Sequence, residues 1–256
     1  MNQMTAEPLV TQALDQGVLT VSLGRAPAHP LSREMIAALH GVIVQAGQAD
    51  DVRVIVIHGS GRIFCAGHDL KEIARHRADA DEGREYVEDL FQACSEMMID
   101  ITHSPKPTIA MVEGIATAAG LQMVAACDLA YASVDATFCL PGVQNGGFCT
   151  TPAVAVSRAI GRKAVMEMAL TGAVYDADWA LVNGLINRVL AADQLPKHVH
   201  DLATTLATRV PGTVSKGKQT LRQHLDLPLR EAYDMATPVM VEHFMDPDRR
   251  KYDWQA

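Results

Sequence analysis

The stretch that decides the fold runs from Lys106 to Ser133 and reads KPTIAMVEGIATAAGLQMVAACDLAYAS. The run Pro105–Val112, which begins one residue before this stretch, is typical of a buried strand, and Leu121–Cys127 has the character of a helix. Asp128–Ala132 then predicts another short strand. A strand, a glycine-bounded turn, a helix and a strand in direct succession favour an α/β core with parallel pairing.

The segments on either side repeat this alternation. Upstream, strands are predicted at Val18–Leu23 and Val52–His58, around a helix at Leu31–Gln48 that Ser32 caps. A glycine-punctuated loop, GSGRIFCAGHDL, follows at residues 59–70. Further elements are predicted as helices at Asp79–Thr102 and Arg162–Leu170, a strand at Ile186–Leu190, and only helices from Gln194 onward. The chain therefore divides into a core at residues 1–195 and a helical region at residues 196–256.

Composition excludes several classes of protein. The 256 residues are 48% hydrophobic, so a core can form without staples, and a formal net charge of −8 argues against a nucleic-acid binder. The five cysteines form no CxxC pair, which indicates reduced thiols in a cytoplasmic setting and neither a disulfide framework nor a metal site. No apolar stretch approaches the roughly 20 residues that cross a bilayer, so no membrane association is expected.

Two glycine-rich turns are the candidates for chemistry. One is Phe64–Leu70 (FCAGHDL), after a buried strand, and the other is Gly114–Gly120 (GIATAAG), which opens a helix. Both present backbone N–H groups that lack a ladder partner, and two such turns can converge on one oxygen as an oxyanion hole. The alternative is that the small residues serve only close packing of helix against strand.

Four motifs carry a resemblance to a known family. They are FCAGHDLKEI at 64–73, the stretch 106–133, PGVQNGG at 141–147, and MEMALTG at 166–172 with NGLINRV at 183–189. In these motifs the chain resembles the crotonase superfamily, the enoyl-CoA hydratase/isomerase fold, and within it the enoyl-CoA hydratase domain-containing protein 3 branch. The resemblance implies a spiral of ββα turns, an acyl-CoA thioester as ligand, and a C-terminal helical region that forms a trimer or a dimer of trimers.

The resemblance also implies the residues of the site. Carried over by position, the oxyanion-hole donors are the N–H groups of Ala66 and Ala118, the latter on condition that its φ is negative. The two glutamates of hydratases correspond to Gln122 and Gly142, so both acid/base carboxylates are absent. An amide can orient a water molecule or an enol, but it cannot act as a general base. We therefore expect poor hydration, which the double change Gln122→Glu with Gly142→Glu would raise more than either single change.

The remaining site residues are assigned as substrate-binding positions. His68 is a possible acid/base group, although a solvent-facing place at a helix start is the simpler interpretation. Cys149 is either a nucleophile or a small packed hydrophobe. The full set of substrate-binding positions is Ala26 and Ala28 in the loop after the first strand, His68, Asp69 and Leu70, and Asn145 and Cys149.

Three functions fit these residues. The first is an enoyl-CoA hydratase/isomerase family protein that stabilises an enolate, with no cofactor beyond the coenzyme A of its substrate. The second is a different reaction on the same oxyanion hole, such as decarboxylation, isomerisation or thioester hydrolysis. The third is a non-catalytic acyl-CoA-binding regulator. For the tail, apolar positions Leu202, Leu206, Leu221, Leu225 and Met235 fit either trimer contacts or packing on the chain's own core.

Overall fold

The computed structural model describes residues 8–252, which form two β-sheets surrounded by helices. The strands are β1 Val10–Asp15, β2 Val18–Leu23, β3 Val54–Gly59, β4 Ile63–Cys65, β5 Thr108–Val112, β6 Ile115–Thr117, β7 Leu129–Ser133, β8 Thr137–Cys139, β9 Tyr175–Asp176 and β10 Arg188–Leu190. The helices are α1 Arg33–Gln48, α2 Leu70–His76, α3 Arg84–His103, α4 Ala119–Ala126, α5 Thr150–Ala159, α6 Arg162–Thr171, α7 Ala177–Val182, α8 Leu195–Ala207, α9 Pro211–His224 and α10 Leu229–Met245. Two 3₁₀ helices span Pro141–Asn145 and Pro247–Tyr252.

The topology is a spiral of ββα turns. The larger sheet has the order β1-β2-β3-β5-β7-β10 and the smaller one β4-β6-β8-β9. The first strand of each pair β3–β4, β5–β6 and β7–β8 joins the larger sheet, the second joins the smaller sheet, and helices follow. Pairing is parallel except at β1–β2 and β8–β9. The predicted α/β crotonase fold is confirmed.

Most predicted elements lie where the sequence placed them. Strand Val18–Leu23 has the predicted bounds, and Ser32 caps α1 by accepting the N–H of Met35 at 3.1 Å. The prediction of loop throughout residues 59–70 is wrong, because Ile63–Cys65 forms β4, and the turn at 114–120 likewise contains β6. Both strands have only three residues, which is too short for an alternating pattern to identify them.

The helical region divides into two parts that behave differently. α8 packs on the sheet, with Leu195, Val199 and Ala203 buried and Leu202 and Leu206 packed beside them. In α9 and α10 the apolar side chains are mostly outward, and α10 has no buried residue. Packing on the chain's own core is therefore correct for α8 and does not account for α9 and α10.

Asp128 fastens α9 to the core. Its carboxylate accepts the backbone N–H of Thr108 at 2.8 Å and the Thr108 hydroxyl at 3.0 Å. Lys218 and Arg222 of α9 both donate to the same carboxylate. Burial lowers the pKa of Lys218, against the opposing effect of Asp128. A single carboxylate thus joins the start of β5, the end of α4 and the middle of α9.

Between residues 8 and 252, no helix is both long and apolar enough to cross a membrane.

Candidate functional site

The turn at residues 65–69 is held by the loop that precedes α1. The N–H of Ala66 donates to the carbonyl of Ala28 at 3.0 Å, and the carbonyl of Gly67 accepts the N–H of Leu31 at 2.8 Å. Gly67 has a φ of +83°, a conformation that favours glycine. Within the described part of the chain, the N–H of His68 has no hydrogen-bond partner. The turn therefore offers a free donor at His68 and none at Ala66.

The start of α4 supplies a second free donor. Ala118 precedes the helix with a φ of +50°, so the condition of a negative φ fails, and its N–H donates to the carbonyl of Cys139 at 3.1 Å. Ala119 is the first helical residue, and among residues 8–252 its N–H meets no acceptor. The first N–H groups of a helix lack intrahelical acceptors, and they lie at the positive end of its dipole.

The 65–69 turn and the start of α4 contact each other at glycine residues. A Cβ atom on Gly67 would lie 3.2 Å from the nitrogen of Ala119, and a Cβ atom on Gly120 would lie 2.2 Å from the carbonyl oxygen of Cys65. A side chain at position 120 would collide with β4, so glycine there lets α4 approach this closely, whereas at Gly67 the positive φ is the stronger reason for glycine. The assignment of Ala66 and Ala118 as free donors is wrong, because both hydrogens already bond protein carbonyls. The free N–H groups belong to neighbouring residues, His68 and Ala119.

Gln122 follows Ala119 by three residues, which places both on one face of α4. The Gln122 side chain is buried, with 4% of its surface exposed, and its Oε1 has no partner within residues 8–252. An unpaired buried amide oxygen is costly unless a ligand or water donates to it. The amide can thus hold a donor near the free N–H of Ala119, but it cannot accept a proton.

Gly142 has no room for a side chain. A Cβ atom on it would lie 2.7 Å from the nitrogen of Cys149 and 2.9 Å from the carbonyl carbon of Phe148. Both are backbone atoms, so neither can swing away as a flexible side chain would. The expected gain from Gly142→Glu therefore conflicts with the structure unless the segment around Cys149 moves.

Cys149 has the surroundings of a packed thiol. Its side chain is buried, and its Sγ accepts the N–H of Gly142 at 3.2 Å. Burial is the main cause that raises the pKa of this thiol, against a smaller lowering by the Gly142 hydrogen bond. A thiolate nucleophile needs a lowered pKa, so the packing interpretation of Cys149 fits better.

His68 is not the solvent-facing residue that its sequence position suggested. Its ring packs edge-on against Phe91 of α3, with 4.6 Å between ring centroids. The Nε2 atom is buried and has no partner among the described residues. Burial lowers the pKa of His68 to about 4, so the ring is neutral near pH 7 and cannot serve as a general acid there.

The other predicted substrate-binding positions are distributed around this centre. Asp69 caps α2 by accepting the N–H groups of Lys71 and Glu72, which is a structural use of its carboxylate. Leu70, Ala26 and Asn145 are exposed. Ala28 is half-buried, and its carbonyl is the acceptor for Ala66. Of these positions, the structure ties Ala28 and Asp69 directly to the 65–69 turn.

Comparison with known proteins identifies relatives of this architecture. Residues 13–255 match the enoyl-CoA hydratase/isomerase family. The mitochondrial enoyl-CoA hydratase domain-containing protein 3 of Mus musculus is 40% identical over 240 residues, which cover 93% of this chain and 78% of that protein.

Solved structures of similar proteins support the same family. An enoyl-CoA hydratase/isomerase family protein from Silicibacter pomeroyi is 67% identical with a TM-score of 0.90, covering 93% of this chain and 100% of that one. Human enoyl-CoA hydratase domain-containing protein 3 is 36% identical with a TM-score of 0.89, covering 95% and 94%. The chain thus belongs to the enoyl-CoA hydratase/isomerase family of the crotonase superfamily, in the domain-containing protein 3 branch.

Proposed function

We propose that this protein binds acyl-CoA thioesters and polarises the thioester carbonyl with the N–H groups of His68 and Ala119. The observation that carries the proposal is a pair of backbone donors, where Gly67 meets the start of α4, that have no partner among residues 8–252. Two aligned donors stabilise the negative charge that develops on a carbonyl oxygen when an enolate forms, and each contributes about 2.7–4 kcal/mol. No separate cofactor is needed, because coenzyme A enters as part of the substrate.

Hydration of an enoyl thioester should be slow in this site. Each positioned proton-transfer group contributes about 10²–10⁴-fold to such a reaction, and here an amide and a glycine occupy the two positions. The buried Oε1 of Gln122 can still accept a hydrogen bond from an enol or from water. An enolate-forming reaction that needs no paired carboxylates, or acyl-CoA binding without turnover, therefore fits the site better than efficient hydration.

The test uses a chromophoric thioester, 4-(dimethylamino)cinnamoyl-CoA, whose absorption band moves to longer wavelength when its carbonyl is polarised. We expect the purified protein to bind it with a red shift and to hydrate crotonyl-CoA much more slowly than a hydratase that keeps both glutamates. Binding without any red shift would contradict the oxyanion-hole assignment. Rapid hydration of crotonyl-CoA would contradict the assignment of Gln122 and Gly142.

We also propose self-association into a trimer or a dimer of trimers. Large apolar side chains are exposed on the last two helices, and burying them against other copies would remove this surface from water. They are Leu221 and Leu225 of α9, and Leu229, Tyr233, Met240, Val241, Phe244 and Met245 of α10. Light scattering at micromolar concentration should give a trimeric or hexameric mass, and a monomeric mass would refute the proposal.

The cytoplasmic localisation stays a prediction.

A further inference from the structure

His29 lies in the loop between β2 and α1 and has an unusual position for a histidine. It is 1% exposed, and its backbone adopts a φ of +46°. Both ring nitrogens meet backbone carbonyls: Nδ1 lies 2.8 Å from the oxygen of Gly24, and Nε2 lies 3.1 Å from the oxygen of Ser60. The ring therefore spans from the end of β2 to the turn after β3.

These two contacts favour one protonation state of the ring. A carbonyl oxygen only accepts, and a neutral imidazole carries one N–H and one lone pair. In either neutral tautomer, one ring nitrogen would direct its lone pair at a carbonyl oxygen in a buried site. Both contacts are hydrogen bonds only when the ring is an imidazolium that donates twice, and hydrogen bonds from a charged donor are stronger than neutral ones.

The loop that His29 holds is also the support of the free donor at His68. The Ala28 carbonyl accepts the N–H of Ala66 at 3.0 Å, and the His29 carbonyl accepts the Cys65 thiol at 3.2 Å. Leu31 donates to the carbonyl of Gly67, directly before His68, at 2.8 Å, and accepts the N–H of Asp69, directly after His68, at 3.2 Å. Hydrogen bonds from the loop thus reach the 65–69 turn before and after His68.

The charged groups around His29 are compatible with a cation there. His58 of β3 has its pKa lowered, mainly by burial, with Glu113 acting in the opposite direction and His29 adding to the lowering. The Glu113 carboxylate lies 3.3 Å from the His58 Nε2 and accepts the N–H of Gly61 at 2.9 Å. Arg25 points to Ser32 and Glu34 at 2.9 Å. A neutral His58 places no second positive charge beside the His29 ring.

We propose that His29, as a buried imidazolium, is the positioning residue that fixes the 65–69 turn and thereby aims the N–H of His68 at the thioester oxygen. The inference rests on the proposed function for its ligand, but not for its protonation state. Gly24 and Ser60 are the two anchors, and the turn that carries the donor is the part held in place.

The protonation state is tested without any ligand. Nitrogen-15 NMR of the full chain near neutral pH should show both ring nitrogens of His29 bonded to hydrogen, with the signal assigned by its loss in His29→Gln. A neutral tautomer in that spectrum would overturn the proposal, whatever the protein binds.

The positioning role is tested with variants that divide the two bonds. The amide nitrogen of Asn overlays Nδ1 and that of Gln overlays Nε2, so His29→Asn keeps the bond to Gly24 and His29→Gln keeps the bond to Ser60. Each should weaken binding of 4-(dimethylamino)cinnamoyl-CoA about tenfold, in line with one lost charge-assisted bond, and reduce the red shift of the saturated complex. His29→Leu should lose the shift altogether.

A matched control separates positioning from stability. His40→Asn breaks a half-buried histidine contact elsewhere in the chain, because the His40 Nε2 lies 2.6 Å from Asp100 and the Asn amide overlays Nδ1 and not Nε2. It should leave the red shift unchanged. If His29→Asn and His29→Gln lower stability but bind the probe with the full red shift, His29 is merely structural and the proposal is wrong. If the wild type binds without a red shift, the proposed function fails instead, and the NMR result stands separately.

Discussion

The substitution Ala119→Pro removes one proposed oxyanion donor, and circular dichroism first checks that the variant folds, because Ala118 with φ +50° and ψ −119° lies outside the region that residues before proline prefer. Ala119 is the first residue of α4, where proline is tolerated because its fixed φ suits a helix and the lost N–H has no intrahelical acceptor. The Cδ atom of proline would take the place of the amide hydrogen on the backbone nitrogen. The change therefore removes the donor and also blocks the position of the ligand oxygen.

The expected loss follows from the geometry. Removing one donor of such a pair typically costs about 10²–10³-fold in rate, or about 2.7–4 kcal/mol of transition-state stabilisation. In the ground state we expect the bound chromophoric thioester to lose most of its red shift and at least tenfold in affinity. Difference absorption spectroscopy at saturating probe measures the shift, and titration of the same signal measures affinity.

Ala119→Gly is the matched control, since it removes the methyl group but keeps the N–H. It should retain the red shift, and at the first helical position it should cost less than the roughly 0.5–1 kcal/mol that glycine costs in the middle of a helix. Ala118→Gly is a second control, because glycine suits the φ of +50° and keeps the N–H bonded to Cys139. A folded Ala119→Pro protein with an unaltered red shift would refute the reasoning and move the donor elsewhere.

Three further predictions concern the other parts of the site and its support. Gln122→Glu should raise the rate of crotonyl-CoA hydration by up to about 10²-fold. Adding Gly142→Glu should give no further rate and should lower stability, because the new Cβ would lie 2.7 Å from the backbone nitrogen of Cys149. Hydration rates and thermal melting curves measure the two effects. Asp128→Asn should cost about 3 kcal/mol in urea unfolding, since it leaves two half-buried cations unpaired, whereas Asp201→Asn, in an exposed pair, should cost under about 0.5 kcal/mol. For His68, burial lowers the pKa from 6.5 to about 4, so the unfolded chain binds more protons between these values and stability falls as pH falls. His68→Phe should remove on the order of 2 kcal/mol of the loss between about pH 7 and about pH 5, and equal pH profiles for the two proteins would contradict the burial of the ring.

The sequence predicted the fold because its signals were local and repeated. Strands β3 and β5 are apolar runs buried on both faces, and α1 has one apolar stripe with a cap at Ser32. The three-residue strands β4 and β6 lacked such a signal, because three residues are too few to show an apolar run or an alternating pattern. They are nevertheless the elements that place the two glycine turns side by side.

The donors were mislocated by one or two residues for a related reason. Sequence spacing indicated which turns carry free N–H groups but not where each hydrogen goes. Ala66 and Ala118 lost theirs to Ala28 and Cys139, residues about 20 or more positions away. The position of the donor depends on where α4 begins. The sequence predicts a helix from Leu121, but the helix begins at Ala119, and the N–H of the first helical residue lacks an intrahelical acceptor.

Gly142 shows how the missing carboxylates and the pocket depend on each other. The 3₁₀ helix at Pro141–Asn145 turns back so that Gly142 donates to the Sγ of Cys149 and packs against the backbone of Phe148 and Cys149. This contact uses the space that a glutamate side chain would need. Gln122, by contrast, keeps a side chain of the same length as glutamate and differs only in proton affinity. A carboxylate can therefore be restored at Gln122 by substitution, whereas at Gly142 the neighbouring backbone leaves no space for one. The backbone conformation at residues 141–149 thus excludes the second carboxylate of the pair.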